Sequence, residues 1–132
     1  MTIDYIKPEG MHHNPAFSQG IVIPAGARIL LVGGQNAVNM AGEIVGKGDI
    51  GRQTEQALAN MLKVIDAAGG SLDNLVKVTL IIQQGVDLHP GFAEWMKVWG
   101  QRPNPPLVTA MMVAGLANPD FLIEIEAQVV LP

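Results

Sequence analysis

PPLVTAMMVAGLANPDFLIEIEAQVVL, residues 105 to 131, is the stretch whose reading decides the fold. It reads as two strands joined by a loop. In its second half Phe121, Ile123, Ile125, Ala127, Val129 and Leu131 alternate with Leu122, Glu124, Glu126, Gln128 and Val130. A period of two over this length predicts a strand with one apolar face and one face carrying two carboxylates and an amide. The apolar face must meet a hydrophobic layer. For an antiparallel sheet the base rate makes the polar face a solvated outer surface. The sharper alternative is that one of its carboxylates does chemistry.

Moving outward, Leu75 to Ile82 (LVKVTLII) is a β-branched strand in which Val76, Val78, Leu80 and Ile82 share a face. Between it and the C-terminal pair, Asp87 to Pro90 starts a second helix. On that helix Phe92, Trp95, Met96 and Trp99 fall at i, i+3, i+4 and i+7, which predicts a buried aromatic face. Gly100 and the Pro103-Asn-Pro-Pro106 run stop it. Upstream, Asp49 caps a long helix over Ile50 to Ala68. Its buried stripe is Thr54, Ala57, Leu58, Met61, Leu62, Ile65 and Ala68, with Gln53, Gln56, Asn60 and Lys63 largely off it, and Gly69-Gly70 ends it. Ile21 to Ile23 and Arg28 to Gln35 read as two strands of a hairpin around Pro24-Ala-Gly26, with Gly33-Gly34 marking a bulge or a close approach by another group. A short alternation around Ile3 and Tyr5 predicts an edge strand. The order β-β-β-α-β-α-β-β, with hairpins at both ends, predicts one mixed six-stranded sheet with two helices on one face, an α+β two-layer domain spanning residues 1–132. The other face, with Lys77, Thr79, Glu124, Glu126 and Gln128, is left for packing between subunits.

Composition narrows the function classes. Of 132 residues, 48% are hydrophobic and 15% charged, against about 25% charged in an ordinary soluble domain. Such a surface has too little charge to be wet everywhere, which predicts a homo-oligomer. The net charge of −4 comes with scattered lysines and arginines, which argues against nucleic-acid or anionic-membrane partners. No cysteine is present, which removes disulfides, thiolate metal sites and a Cys nucleophile. His12 and His13 are neighbours; in an extended segment they point to opposite faces and are expected to play a loop role without a metal. The N-terminus lacks a signal-peptide layout, and no apolar run reaches membrane-spanning length. A cytoplasmic protein is expected.

Several strings, taken together and in register, resemble the RidA/YjgF family of reactive-intermediate (enamine/imine) deaminases. They are FSQG at 17–20, VGGQ at 32–35, QTEQALANMLKVIDAAGGSLDNLVKVTLII at 53–82, NPP at 104–106 and EIEA at 124–127. The resemblance implies a chorismate-mutase-like fold, a homotrimer with small-molecule clefts between subunits, and no cofactor. It also implies a divergent site. Active relatives carry an arginine two positions after the Pro-Pro pair, where its planar fork grips the substrate carboxylate; Val108 stands there. Phe17 replaces an aromatic hydroxyl, Gly33 a serine and Met96 a polar residue, whereas the glutamate of EIEA is kept as Glu124.

Two readings follow from that pattern. In one, Glu124 activates a water that attacks an imine carbon and releases ammonia, with Phe17, Gly33, Met96, Val108 and Ala110 around the substrate and Arg102 as a candidate substitute cation. In the other, the same residues form a non-catalytic pocket for an apolar ligand. A ribonuclease, also attributed to relatives of this family, is disfavoured by the acidic charge and the absence of a basic stripe.

Overall fold

The structure, a computed structural model, describes residues 2–132. Its strands are β1 (Asp4–Ile6), β2 (Gly20–Val22), β3 (Arg28–Gln35), β4 (Leu75–Gln83), β5 (Leu107–Val113) and β6 (Ile123–Leu131). Helix α1 (Ile50–Ala67) lies between β3 and β4, and α2 (His89–Trp99) between β4 and β5. The expected order and α+β class hold. The expected single six-stranded sheet does not. Strands β1 and β2 form a separate antiparallel pair, and the main sheet has four strands in the order β3-β6-β4-β5.

Both expected hairpins are absent for one reason: each strand has a better partner elsewhere. The turn at Pro24 forms, with Ala27 N–H donating to Pro24 O at 3.3 Å, but it passes the chain from one sheet to the other. β2 pairs with β1, and β3 pairs with β6. At the C-terminal end β5 runs parallel to β4, in register from Lys77↔Leu107 to Gln83↔Val113. A parallel neighbour needs a long crossover, which α2 supplies. The loop after β5 then carries the chain past β4, so that β6 inserts between β3 and β4, antiparallel to both.

β6 is therefore the central strand, and its alternation is realised as read. Ile123, Ile125, Ala127, Val129 and Leu131 are buried on the helix side, whereas Glu126 and Gln128 are exposed on the other. Against that inner face lies α1, with Thr54, Ala57, Leu58, Met61 and Ile65 buried. Asp49 caps it by accepting from Arg52 N–H at 3.1 Å. Gly69, at φ +83°, ends it with its N–H on Asp66 O.

Two sequence expectations about the helices are corrected. Gln53 is not off the buried stripe but fully buried. The apolar face of α2 is only half covered: Trp99 is buried and stacks on Trp95 with ring centroids 5.5 Å apart, yet Phe92 and Met96 remain 52% and 43% exposed. That helix starts at the Asp87–His89 contact, where Nδ1 and Oδ1 are 2.7 Å apart. The backbone N–H of His89 and then its ring hold the Asp87 carboxyl below its usual range.

Candidate functional site

Pairing across the sheet sorts the candidate residues into rows. Val108 aligns with Val78 and, through it, Ala127; Ala110 aligns with Leu80 and Ile125. These rows lie on the helix side. Met111 aligns with Ile81 and Glu124, on the opposite side. Val108 and Glu124 thus face away from each other through the thickness of one sheet.

On the helix side is a cavity of about 300 Å³ between β5 and α2. Val108, Ala110 and Phe17 border it. The remaining wall includes Trp95 and Phe92 of α2 and Leu80 of β4. The height of the roof follows from Gly91: a Cβ there would come within 2.9 Å of Thr54 Oγ1, so only glycine lets the two helices approach this closely. Thr54 is the sole hydroxyl on the wall, and it donates to Ile50 O at 2.7 Å. Among the described residues no ionisable side chain borders the cavity. Such a lining dissolves an apolar, uncharged group and penalises a carboxylate.

On the other side, Glu124 lies over the bulge between Val32 and Gln35, where β3 slips register against β6. The carboxylate occupies the space that a side chain at position 34 would need: a Cβ on Gly34 would sit 2.2 Å from Oε2. Gly33 beside it is exposed, and its carbonyl accepts from Gln35 Nε2 at 3.1 Å. The two glycines therefore leave backbone accessible beside a carboxylate. Two amides that sequence periodicity passed over fix the start of β6. Gln53 donates to Gly46 O at 3.1 Å and Asp120 O at 2.8 Å, and accepts from Leu122 N–H at 2.9 Å. Asn36 donates to Ile123 O at 3.1 Å. Both hold the backbone just before Glu124. A hydrophobic pattern could not reveal them, because their partners are backbone groups, all but Gly46 far away in sequence.

Two expected members lie elsewhere. Met96 sits on the exposed side of α2 and does not border the cavity. Arg102, the candidate substitute cation, does not border the cavity at Val108 within one chain. Its Nη1 donates to Val98 O at 3.3 Å and Trp99 O at 3.1 Å, and its Nε bonds Asp73 Oδ1 at 3.3 Å, so it caps the C-terminus of α2. His12 and His13, expected on opposite faces, both border a second cavity of about 290 Å³ beside Arg102.

Known proteins are similar to this chain in sequence and in fold. Residues 11–131 match the family described as Endoribonuclease L-PSP. The RutC family protein PH0854 of Pyrococcus horikoshii is 39% identical over 99 residues, covering 74% of this chain and 75% of that one. Among solved structures, YyfB of the conserved Rid protein family from Yersinia pestis is similar at a TM-score of 0.86 and 31% identity, over 99% of this chain and all of that one. Escherichia coli TdcF, solved with bound serine, is similar at a TM-score of 0.71 and 26% identity, over 83% and 85% of the two chains.

Proposed function

Because this chain belongs to the endoribonuclease L-PSP family, that of the Rid, YjgF and RutC proteins with their chorismate-mutase-like α+β fold, we propose that it is an enamine/imine deaminase-type hydrolase whose cleft forms between copies of the chain. One copy contributes the apolar cavity at Phe17, Val108 and Ala110. A neighbour contributes Glu124 and the exposed backbone at Gly33. Glu124 takes a proton from water, the water oxygen bonds to the imine carbon, the C–N bond breaks, and ammonia leaves with the protons. The observation that carries this reading is the split itself. Each face of the sheet bears half of the required groups, an apolar seat and an accessible carboxylate, and only a second copy can supply the missing half.

The substrate is neutral or largely apolar around the reacting carbon. TdcF was solved holding serine, a small amino acid with a carboxylate; the wall around Val108 offers a carboxylate no partner. Losing a charge-assisted pair there costs about 1.5–3 kcal/mol per hydrogen bond.

Ammonia release from a neutral aliphatic imine, compared with 2-iminopropionate, tests the proposal. The apolar imine is expected to be the better substrate, and Glu124→Ala is expected to lower its turnover by about a hundredfold or more. Val108→Arg is expected to raise hydrolysis of 2-iminopropionate. Turnover unchanged in Glu124→Ala would end the catalytic role of that residue. A second reading, a non-catalytic homotrimer binding an apolar small molecule, rests on the absence of any acid in the cavity of a single chain. It requires apolar ligands that raise the melting temperature without any ammonia release.

A further inference from the structure

The second cavity, of about 290 Å³, lies between the loop over residues 7–19 and the turn over residues 102–105. The chain has 8 lysines and arginines, 3 histidines and a net charge of −4. Lys7, Arg102, His12 and His13 all border this one cavity, and no aspartate or glutamate does. A concentration of cationic and imidazole donors without a carboxylate is the reverse of the chain's average surface. It gives a local field that attracts anions.

The walls are held in place. Ser18 N–H donates to Pro106 O at 3.1 Å, and its hydroxyl donates to Pro105 O, which ties the loop to the turn. Asn104, between two prolines, is held at φ 57°, a conformation that asparagine tolerates better than most residues. The three bonds of Arg102 use Nε and Nη1, and its guanidinium lies 6.0 Å from the Trp99 ring centroid. Among the described residues Nη2 has no partner. Asp73 neutralises part of the charge of Arg102 through Nε, whereas Lys7 forms no ion pair among the described residues.

We propose that this cavity is a binding site for a small phosphorylated molecule, with the phosphate held by Lys7, Nη2 of Arg102 and the rings of His12 and His13. Several nitrogen donors around one open cavity match the three terminal oxygens of a phosphate, and the cavity is large enough for a small group esterified to it. This site is separate from the one built around Val108 and Glu124 and does not rest on the deaminase reading. Phe17 borders both cavities and is the wall they share.

The test is an NMR titration of the full chain at low ionic strength, following the three histidines, with inorganic phosphate, pyrophosphate, a phosphorylated triose, citrate and sodium chloride at matched ionic strength. His89, at the far end of α2 from Arg102, serves as an internal control. The phosphate compounds are expected to give saturable shifts at His12 and His13 with His89 unmoved. Followed by isothermal titration calorimetry, which does not need the histidine signals, Lys7→Glu and the pair His12→Gln, His13→Gln, all on an exposed loop, should each weaken the binding at least tenfold, and Val108→Arg should leave it unchanged. Tighter binding of the phosphorylated triose than of inorganic phosphate would support an esterified ligand. Equal shifts at all three histidines, equal effects of sodium chloride, unweakened binding by Lys7→Glu, or citrate binding as tightly as pyrophosphate would overturn the assignment.

Discussion

At the scale of single residues, Gly34 and Glu124 form a unit. Neither Gly33 nor Gly34 has a positive φ, so conformational freedom is not why glycine stands there. Gly34 is needed because the Glu124 carboxylate fills the space beside its Cα. Gly34→Ala is therefore expected to displace the flexible end of Glu124 and leave the backbone in place. Stability should change by no more than about 1 kcal/mol, the small cost of a local shift that a side chain can absorb. Any Glu124-dependent ammonia release should fall toward the level of Glu124→Ala, and Gly34→Ala added to Glu124→Ala should have no further kinetic effect. Denaturant melts and a double-mutant cycle on turnover check both parts; a Gly34→Ala protein with full activity would show that Glu124 works from another position. The carboxylate was legible in the sequence as Glu124 of the alternating strand, and Gly33-Gly34 as a bulge or a close approach, but that Glu124 is the group beside Gly34 was not, because a bulge shifts the register locally.

Among the elements, α1 does more than cover the sheet. Through Gln53 it pairs the backbone on both sides of Asp120–Leu122 and so sets where β6 begins. Replacing Gln53 with Leu keeps the bulk and takes the partner from Leu122 N–H, Asp120 O and Gly46 O, at about 1–3 kcal/mol for each group left unsatisfied. A drop of about 3 kcal/mol in unfolding free energy is expected from chemical denaturation, and amide exchange should quicken at residues 120–124. Loss below 1 kcal/mol would mean that water replaces the amide. Helix periodicity placed Gln53 outside the apolar stripe, correctly in terms of hydrophobicity, and could not foresee that a polar side chain at its margin would be buried by its own hydrogen bonds. The opposite error occurred on α2. There the i, i+3, i+4, i+7 pattern was read as a buried face, but the sheet reaches only part of it, leaving Phe92 and Met96 uncovered.

For the whole molecule, the uncovered apolar surface has a location. Leu31, 70% exposed, Ile29 and Met111 lie on the outer face of the sheet, near Thr79 and Glu126. With only 15% charged residues, that face is suited to burial against another copy. Light scattering at micromolar concentration is expected to give about three times the mass of one chain. Leu31→Glu should shift the protein toward monomer and abolish any activity that needs both faces, without unfolding the monomer. A wild-type monomer would remove the shared-cleft mechanism while leaving the apolar cavity of each chain intact. Among the described residues no helix is long and apolar enough to cross a membrane, so the apolar surface is not part of a helical span.

The sequence by itself determined the order of elements, the two faces of β6, both ends of α1 and the uncharged side chain at position 108. Each of these is written in a local period, a cap or a single residue type. Only the tertiary structure decided the strand order, because pairing is a competition among segments far apart in sequence, and adjacency in the chain favoured two hairpins that do not form. From that order follows the separation that matters most for function. With β5 parallel to β4 and β6 antiparallel beside it, the register puts Val108 and Ala110 over the helices and Glu124 on the other face. No reading of a single strand can settle which face meets which neighbour, since a shift of one residue in register would exchange them.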